Sequence, residues 1–134
     1  IALVVSEWNE VVTNALFQGA NNTLNHHNVS ENNIERTKVP GSFELIYGAQ
    51  RAQQMNFDAI IAIGCVIQGE TRHFEFISNA VAQGIKDLNL NGKAPVVFCV
   101  LTDDTIKQSK ARSGGDKGNK GVEAAVTALK MIGL

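Results

Sequence analysis

The stretch DAIIAIGCVIQGETRHFEF, residues 58–76, decides the fold. Residues 58–65 are almost all apolar, as in a strand of a parallel sheet whose two faces are both covered. Polar residues follow from Gln68, and apolar residues then return at helical spacing at Phe74, Ile77 and Val81. The stretch therefore predicts a buried strand, a polar loop and an amphipathic helix.

The same alternation of strand and helix patterns runs through the rest of the chain. Strands are predicted at 2–5, 34–39, 58–65 and 95–101, and helices at 43–55 and 72–88. A helix after the first strand is expected to bury Val12, Leu16, Ala20 and Leu24, and the last helix Val122, Val126 and Leu129. Asp103 and Asp104 are expected to cap a short helix, and the Gly-rich segment 113–121 follows it.

Parallel strands joined by right-handed helical crossovers predict an α/β fold, a three-layer α/β/α sandwich. We expect a four-stranded parallel sheet in the flavodoxin-like order 2-1-3-4, within one domain spanning residues 1–134. Ligands of such sheets bind beyond the carboxyl ends of the strands. The loops at 6–9, 39–44, 66–73 and 102–104 should therefore emerge on one edge and form the site.

Composition narrows the class of ligand. The net charge of −1 and the absence of a basic excess disfavour nucleic acid, and no apolar stretch is long enough to suggest a membrane span. Basic residues outnumber acidic ones over 105–134, which favours a small anion. Cys65 and Cys99 lie in strand-like runs, so we expect reduced core thiols in a cytoplasmic protein. The sequence begins at Ile1, without a methionine and directly at the first predicted strand, so a few further native residues are expected before it.

The loop at 66–73 has the features of an anion site at a helix start. Gly69, Glu70 and Thr71 precede the helix, whose first amides lack intrahelical partners. His73 in the first turn could exchange protons with a molecule carrying the anion. The alternative is that Gly69 serves a turn and His73 is an ordinary surface residue.

Two further segments have both a functional and a structural interpretation. Arg112 directly precedes the Gly-rich segment, and Lys117 and Lys120 lie within it. These cations suit phosphate or carbonyl oxygens, although the segment could simply join two helices. Trp8 and Phe43 follow predicted strands beside Asn9 and Glu44, where aromatic faces could stack on a flat polar ring. Core filling is the alternative for both aromatic residues.

Several motifs together resemble the 6,7-dimethyl-8-ribityllumazine synthase family over essentially the whole chain. They are WN at 8–9, VPGSFE at 39–44, IGCVIQGETRH at 63–73, VVFCVL at 96–101 and GNKG at 118–121. The resemblance implies a transferase of riboflavin biosynthesis. It condenses 5-amino-6-(D-ribitylamino)uracil with 3,4-dihydroxy-2-butanone 4-phosphate, without a cofactor or metal, to give 6,7-dimethyl-8-ribityllumazine, phosphate and water.

The resemblance also implies residue roles. Trp8 would stack on the pyrimidine, Glu44 would hold ribityl hydroxyls, and His73 would be the catalytic proton-transfer residue. The remaining residues implied to bind the pyrimidine and ribityl groups are Asn9, Ser42, Phe43, Cys65, Val66, Ile67, Phe98 and Lys120. Those implied to bind the phosphate are Gly69, Glu70, Thr71 and Arg112.

The family resemblance further implies a homo-oligomer with active sites between subunits. Its basic unit is a pentamer, packed twelve-fold in some members into an icosahedral capsid, with riboflavin synthase as a partner. Phe98, Arg112 and Lys120 would come from a neighbouring subunit. Asp116 departs from the family pattern because many members have lysine there. A non-catalytic flavin-binding module and a receiver-like domain using Asp103 and Asp104 remain alternatives.

Overall fold

The computed structural model describes residues 1–134 and has the predicted alternation of strands and helices. The strands are β1 (Ala2–Ser6), β2 (Glu35–Val39), β3 (Ile60–Ile67), β4 (Val96–Asp103), β5 (Ser113–Gly115) and β6 (Gly118–Asn119). The helices are α1 (Glu10–His26), α2 (Leu45–Gln53), α3 (His73–Asn91), α4 (Ile106–Arg112) and α5 (Lys120–Ile132). A single 3₁₀ turn covers Glu31–Asn33.

The four main strands form a parallel sheet in the order β2-β1-β3-β4, which confirms the predicted topology. Alternate residues of each central strand enter separate cores, because successive side chains point to opposite faces. Leu3 and Val5 pack on the face covered by α1 and α5, whereas Ala2 and Val4 pack on the face covered by α2 and α3. Both faces of the sheet are therefore covered, which explains the continuous apolar run that opens residues 58–76.

Helix α1 buries the side chains that its sequence pattern predicts. Val12, Leu16, Ala20 and Leu24 are all inaccessible to solvent. Residues spaced by four share one helix face, so this stripe lies entirely against the sheet.

Helix α5 buries the predicted face only in part: Val126 and Leu129 are half-buried, and Leu129 packs against the core. Its buried residues are Gly121, Ala124, Ala125 and Ala128, whereas Val122 is 40% exposed. The reason is the short distance to α1: a Cβ built on Gly121 would lie 1.9 Å from the carbonyl oxygen of Leu16. Only small side chains fit at such a separation, so the larger apolar ones lie at the margin of the contact.

The predicted cap of α4 is also wrong. Thr105, and neither Asp103 nor Asp104, caps this helix, and its side chain and that of Gln108 form a reciprocal capping box. Asp103 is the last residue of β4, since that strand continues two residues beyond its predicted end.

The other differences concern boundaries. Helix α2 is shorter than predicted by two residues at each end, β3 lies two residues later, and α3 continues to Asn91. Within the Gly-rich segment, β5 and β6 form a small antiparallel hairpin, and α5 begins at Lys120. None of the helices has the length and apolar character needed to cross a membrane.

Candidate active site

A pocket of about 370 Å³ lies at the carboxyl ends of β1, β2 and β3. Its size is in the usual range for small-molecule sites. The lining residues come from three of the four predicted loops and from the first turns of α3: Trp8, Gly41, Ser42, Phe43, Glu44, Cys65, Val66, Ile67, His73 and Ile77. The structure therefore brings together eight residues that the sequence assigned to catalysis or substrate binding.

Hydrogen bonds hold the first three loops against one another. The amides of Glu7 and Trp8 donate to the carbonyls of Val39 and Pro40 at 2.8 and 3.1 Å, which continues the parallel pairing of β1 with β2 beyond the strands. Asn9 does not line the pocket. Its side-chain amide instead donates to the carbonyl of Cys65 at 3.0 Å, so Asn9 ties the start of α1 to the end of β3.

The two aromatic side chains of the pocket are not core residues. Trp8 is 71% exposed and Phe43 is 51% exposed. Exposing two large aromatic surfaces beside a pocket leaves apolar area uncovered, which costs free energy unless a ligand or another protein surface covers it. This observation rules out the core-filling alternative within the chain.

Glu44 and Ser42 give the pocket polar groups without partners. Glu44 is exposed and takes part in none of the ion pairs of the structure. The hydroxyl of Ser42 is buried and has no hydrogen-bond partner. Buried hydroxyls are normally paired, so Ser42 retains hydrogen-bonding capacity at the pocket wall.

The loop before α3 presents free backbone amides. The amides of Gly69, Glu70, Thr71 and Arg72 donate to no acceptor in the chain, whereas the amide of Gln68 is bound to the carbonyl of Asp103. A Cβ built on Gly69 would have no atom within 4 Å, so packing within the chain does not require glycine there. Four free donors at the start of a 19-residue helix form a suitable site for an anion.

His73 is the first residue of α3 and lines the pocket beside this loop. Its amide donates to the Thr71 hydroxyl at 3.4 Å, and its side chain is exposed. His73 is thus an exposed imidazole that lines the same pocket as Trp8 and Phe43 and directly follows the loop of free amides, and imidazole is a common proton-transfer group.

The pocket thiol is poorly suited to nucleophilic chemistry. The pKa of the Cys65 thiol is raised, mainly by burial; the hydrogen bond to the Ser109 hydroxyl lowers this pKa but does not cancel the effect of burial. Burial also raises the pKa of Cys99 to about 12. Both cysteines are free and buried, as predicted, and thiols are nucleophilic only as thiolates.

Another cleft of the molecule is larger but has few side chains that could take part in catalysis. It has a volume of about 650 Å³ and lies near the carboxyl-terminal ends of α2 and α3. Its only titratable lining residue is Lys93, and most of the others are amides or apolar. The smaller pocket, which contains Glu44 and His73, is therefore the better candidate for a site of proton transfer.

Gly41 and Ile77 also line the pocket, although neither was a predicted site residue. Ile77 lies four residues after His73 and so shares its helix face, a spacing that could have identified it. A Cβ on Gly41 would lie 3.0 Å from a carboxylate oxygen of Glu44, so this glycine leaves room for that side chain.

A family model described as 6,7-dimethyl-8-ribityllumazine synthase matches residues 1–134. The chain belongs to the lumazine synthase family. Lumazine synthases are transferases of riboflavin biosynthesis, so the chain is an enzyme of that pathway.

Curated relatives agree with the family assignment. The chain is 58% identical to 6,7-dimethyl-8-ribityllumazine synthase of Christiangramia forsetii, with 98% of this chain and 80% of the relative covered. It is 58% identical to the enzyme of the same name from Flavobacterium johnsoniae, with 96% of this chain and 68% of that relative covered. It is 50% identical to the enzyme of the same name from Bacteroides fragilis, with 97% of this chain and 92% of that relative covered.

Three residues that the lumazine synthase resemblance assigns to a neighbouring subunit do not reach this pocket. Phe98 and Lys120 line a separate cleft beside β4, and the fourth predicted loop, at 102–104, contributes Thr102 and Asp103 to that cleft. Arg112 ends α4 and lines neither space. Within one subunit of this lumazine synthase family member, the predicted site residues thus form two separate groups.

Asp116, which stands where many lumazine synthases have lysine, lies in the β5–β6 hairpin. Asp116 and Lys117 are both exposed there, and neither takes part in an ion pair. The amide of Lys117 donates to the carbonyl of Ala111 at 2.8 Å, which holds the hairpin against the end of α4.

Proposed function

We propose that the chain catalyses the reaction of its family at the pocket described above. It condenses 5-amino-6-(D-ribitylamino)uracil with 3,4-dihydroxy-2-butanone 4-phosphate, without a cofactor, to give 6,7-dimethyl-8-ribityllumazine, phosphate and water. The observation that carries this proposal is a single pocket containing exposed aromatic faces, a free carboxylate and an imidazole beside four free amides.

The uracil substrate occupies the part of the pocket between the strand ends. Trp8 stacks on the ring, because its face is open to the pocket and aromatic stacking suits a flat heterocycle. Phe43 covers the same ring and the start of the ribityl chain. The Glu44 carboxylate, which forms no ion pair, accepts hydrogen bonds from ribityl hydroxyls. The Ser42 hydroxyl, which has no partner in the chain, forms a further hydrogen bond with the ribityl chain. The backbone at Cys65, Val66 and Ile67 lies along the edge of the ring.

The phosphate of the second substrate binds at the amides of Gly69, Glu70 and Thr71. Glu70 contributes its backbone only, since a carboxylate side chain would repel the dianion. Arg112 from a neighbouring subunit supplies the compensating charge, because its planar guanidinium can bind two phosphate oxygens at once.

His73 moves protons between the two substrates. The amine of the uracil attacks the ketone, and water leaves as the imine forms. Elimination of phosphate then gives an enol, which tautomerises to a ketone. The ribitylamine nitrogen attacks that ketone, and loss of a second water closes the ring; each step transfers a proton. We assign these transfers to His73 and assign most of the acceleration to holding the amine and ketone together.

The working unit is a homo-pentamer, or a capsid of twelve pentamers, with active sites between subunits. The separation of Phe98, Arg112 and Lys120 from the pocket supports this proposal. So does the 44% exposure of Phe98, which a neighbouring subunit could cover. Residues 1–134 act as one domain, in the cytoplasm, with riboflavin synthase as a partner that takes up the product.

The test is direct. The purified protein is mixed with both substrates, and the fluorescence of the lumazine product is followed against a reaction without protein. We expect formation above the spontaneous rate and saturation with each substrate. Binding of the lumazine without any acceleration would overturn the proposal and support the non-catalytic flavin-binding alternative.

A further inference from the structure

The helix that carries Arg112 has almost no apolar attachment to the rest of the protein. Helix α4 has seven residues, and Ser109 is the only buried one. Ile106 is 43% exposed, and Lys107 and Lys110 are exposed as well. A helix this short is not stable by itself, so specific contacts must hold it in place.

The side chain of Ser109 provides such a contact. It is 0% exposed, and its hydroxyl donates to the Oδ2 atom of Asp103 at 2.8 Å. The hydroxyl oxygen of Ser109 also accepts a hydrogen bond from the Cys65 thiol, at 3.4 Å. Asp103 and Cys65 lie near the carboxyl ends of β4 and β3, so both partners of the hydroxyl belong to the sheet. With one proton and two partners, the hydroxyl has a fixed orientation.

Arg112 depends on this attachment for its position. It lies three residues after Ser109, nearly one turn along the same helix. The Nη1 atom of Arg112 donates to the carbonyl of Gln108 at 3.1 Å, and that acceptor also belongs to α4. Arg112 forms no ion pair in the chain. The placement of α4 on the sheet therefore determines where the guanidinium lies.

We propose that Ser109 and Asp103 are positioning residues for Arg112. Their hydrogen bond fixes α4 on the carboxyl end of β4, and this fixes the guanidinium where the substrate phosphate binds. The inference rests on the proposed role of Arg112 in phosphate binding. Ser109 acts through Arg112, so removing its hydroxyl should weaken the binding of phosphate without weakening the binding of the uracil substrate.

The experiment removes the hydroxyl with Ser109→Ala in the assembled enzyme. Two quantities are measured: KM for each substrate, and the inhibition constant of inorganic phosphate, which reports on the anion site alone. We expect the inhibition constant and KM for the butanone phosphate to rise about three- to tenfold, the usual effect of losing one buried hydrogen bond. KM for the uracil substrate should stay the same.

A double-mutant cycle separates positioning from a general loss of stability. In an Arg112→Ala background, Ser109→Ala should cause no further rise in the phosphate inhibition constant. A further rise of the same size in that background would overturn the inference. So would equal rises in both KM values, or no change in any of them.

Two additional variants complete the design. Asp103→Asn keeps the shape of the partner and weakens the same hydrogen bond, so it should give the same phosphate-selective effect if Ser109→Ala fails to fold. Thr13→Val is the control, because Thr13 is also 0% exposed and its hydroxyl also donates at 2.8 Å, to the carbonyl of Ser6 in β1. It should leave the phosphate inhibition constant unchanged.

If Arg112→Ala alone has no effect on that constant, the proposed role of Arg112 fails, whatever the serine variant does.

Discussion

His73 is one of three titratable side chains that line the pocket, with Glu44 and Cys65. Burial raises the pKa of the Cys65 thiol, which makes it a poor proton donor and nucleophile. Imidazole is the side chain whose chemistry suits both acceptance and donation of protons near neutral pH. The composition of the pocket therefore supports the proposed assignment of proton transfer to His73.

We expect His73→Ala to lower kcat by about ten- to hundredfold. This loss is at or below the low end of general acid–base contributions, because the enzyme still holds the amine and the ketone close together. The fold should survive, since this side chain is exposed. The measurement is kcat across a range of pH with both substrates saturating. His27→Ala removes another exposed histidine outside the pocket and should leave kcat unaltered. If kcat of His73→Ala equals that of the parent at every pH, His73 has no role in proton transfer.

Cys99 makes stability depend on pH under alkaline conditions. Its pKa is raised from 9.0 to about 12 in the folded protein, mainly by burial. Between these values the unfolded chain releases the thiol proton and the folded chain retains it, so the free energy of unfolding falls as pH rises. Urea unfolding across this interval should show a shallower decline for Cys99→Ala. Identical slopes for the two proteins would contradict the buried state of this thiol.

At the scale of elements, the contact between α1 and α5 depends on glycine. Gly121→Ala would place a methyl group 1.9 Å from the carbonyl oxygen of Leu16, and backbone atoms cannot turn aside as a flexible side chain can. We expect a loss of about 1–3 kcal/mol in the free energy of unfolding, as for other overpacked contacts. Chemical denaturation measures this loss.

Gly69→Ala is the matched control for that substitution. A Cβ at this position meets no atom within 4 Å, so the stability of the protein should be unchanged. The methyl group would instead lie at the proposed phosphate site and raise KM for the butanone phosphate. Equal stability losses in the two alanine variants would show that the α1–α5 contact is not closely packed at Gly121.

Elements also show where sequence patterns are sufficient and where they fail. The stripe of α1 was predicted correctly because large apolar residues at helical spacing must be buried somewhere. The centre of the buried face of α5 was missed because its contact uses Gly121 and three alanines, which carry little hydrophobic signal. The cap of α4 was missed because three consecutive residues, Asp103 to Thr105, are all suitable, and the extra length of β4 decides among them.

At the scale of the whole molecule, the proposed active sites between subunits predict complementation between impaired subunits. His73→Ala subunits retain Arg112, and Arg112→Ala subunits retain the pocket with His73. Mixed assemblies refolded from equal amounts of both should regain activity at about one quarter of the interfaces, where an intact pocket meets an intact Arg112. Steady-state assays of mixed and separate samples measure the gain, and sedimentation measures the size of the assembly.

The same mixture tests the alternative arrangement. If each subunit completes its own site, every site in the mixture lacks either His73 or Arg112. Activity in mixed assemblies no greater than the average of the two separate variants would therefore contradict sites between subunits.

The sequence by itself determined the strand order, the faces of the central strands and most of the pocket. Alternating periodicities require parallel strands covered by helices, and parallel strands bring their carboxyl ends to one edge, so Trp8, Phe43 and His73 had to emerge near one another. Only the tertiary structure decided which residues stay apart. Phe98 and Lys120 line a second cleft beside β4, an outer strand at the opposite edge of the sheet from β2. Arg112 depends on a buried serine that no sequence pattern marks. Local periodicity encodes burial and direction, whereas close packing and hydrogen bonds between distant segments depend on distances that only the folded chain defines.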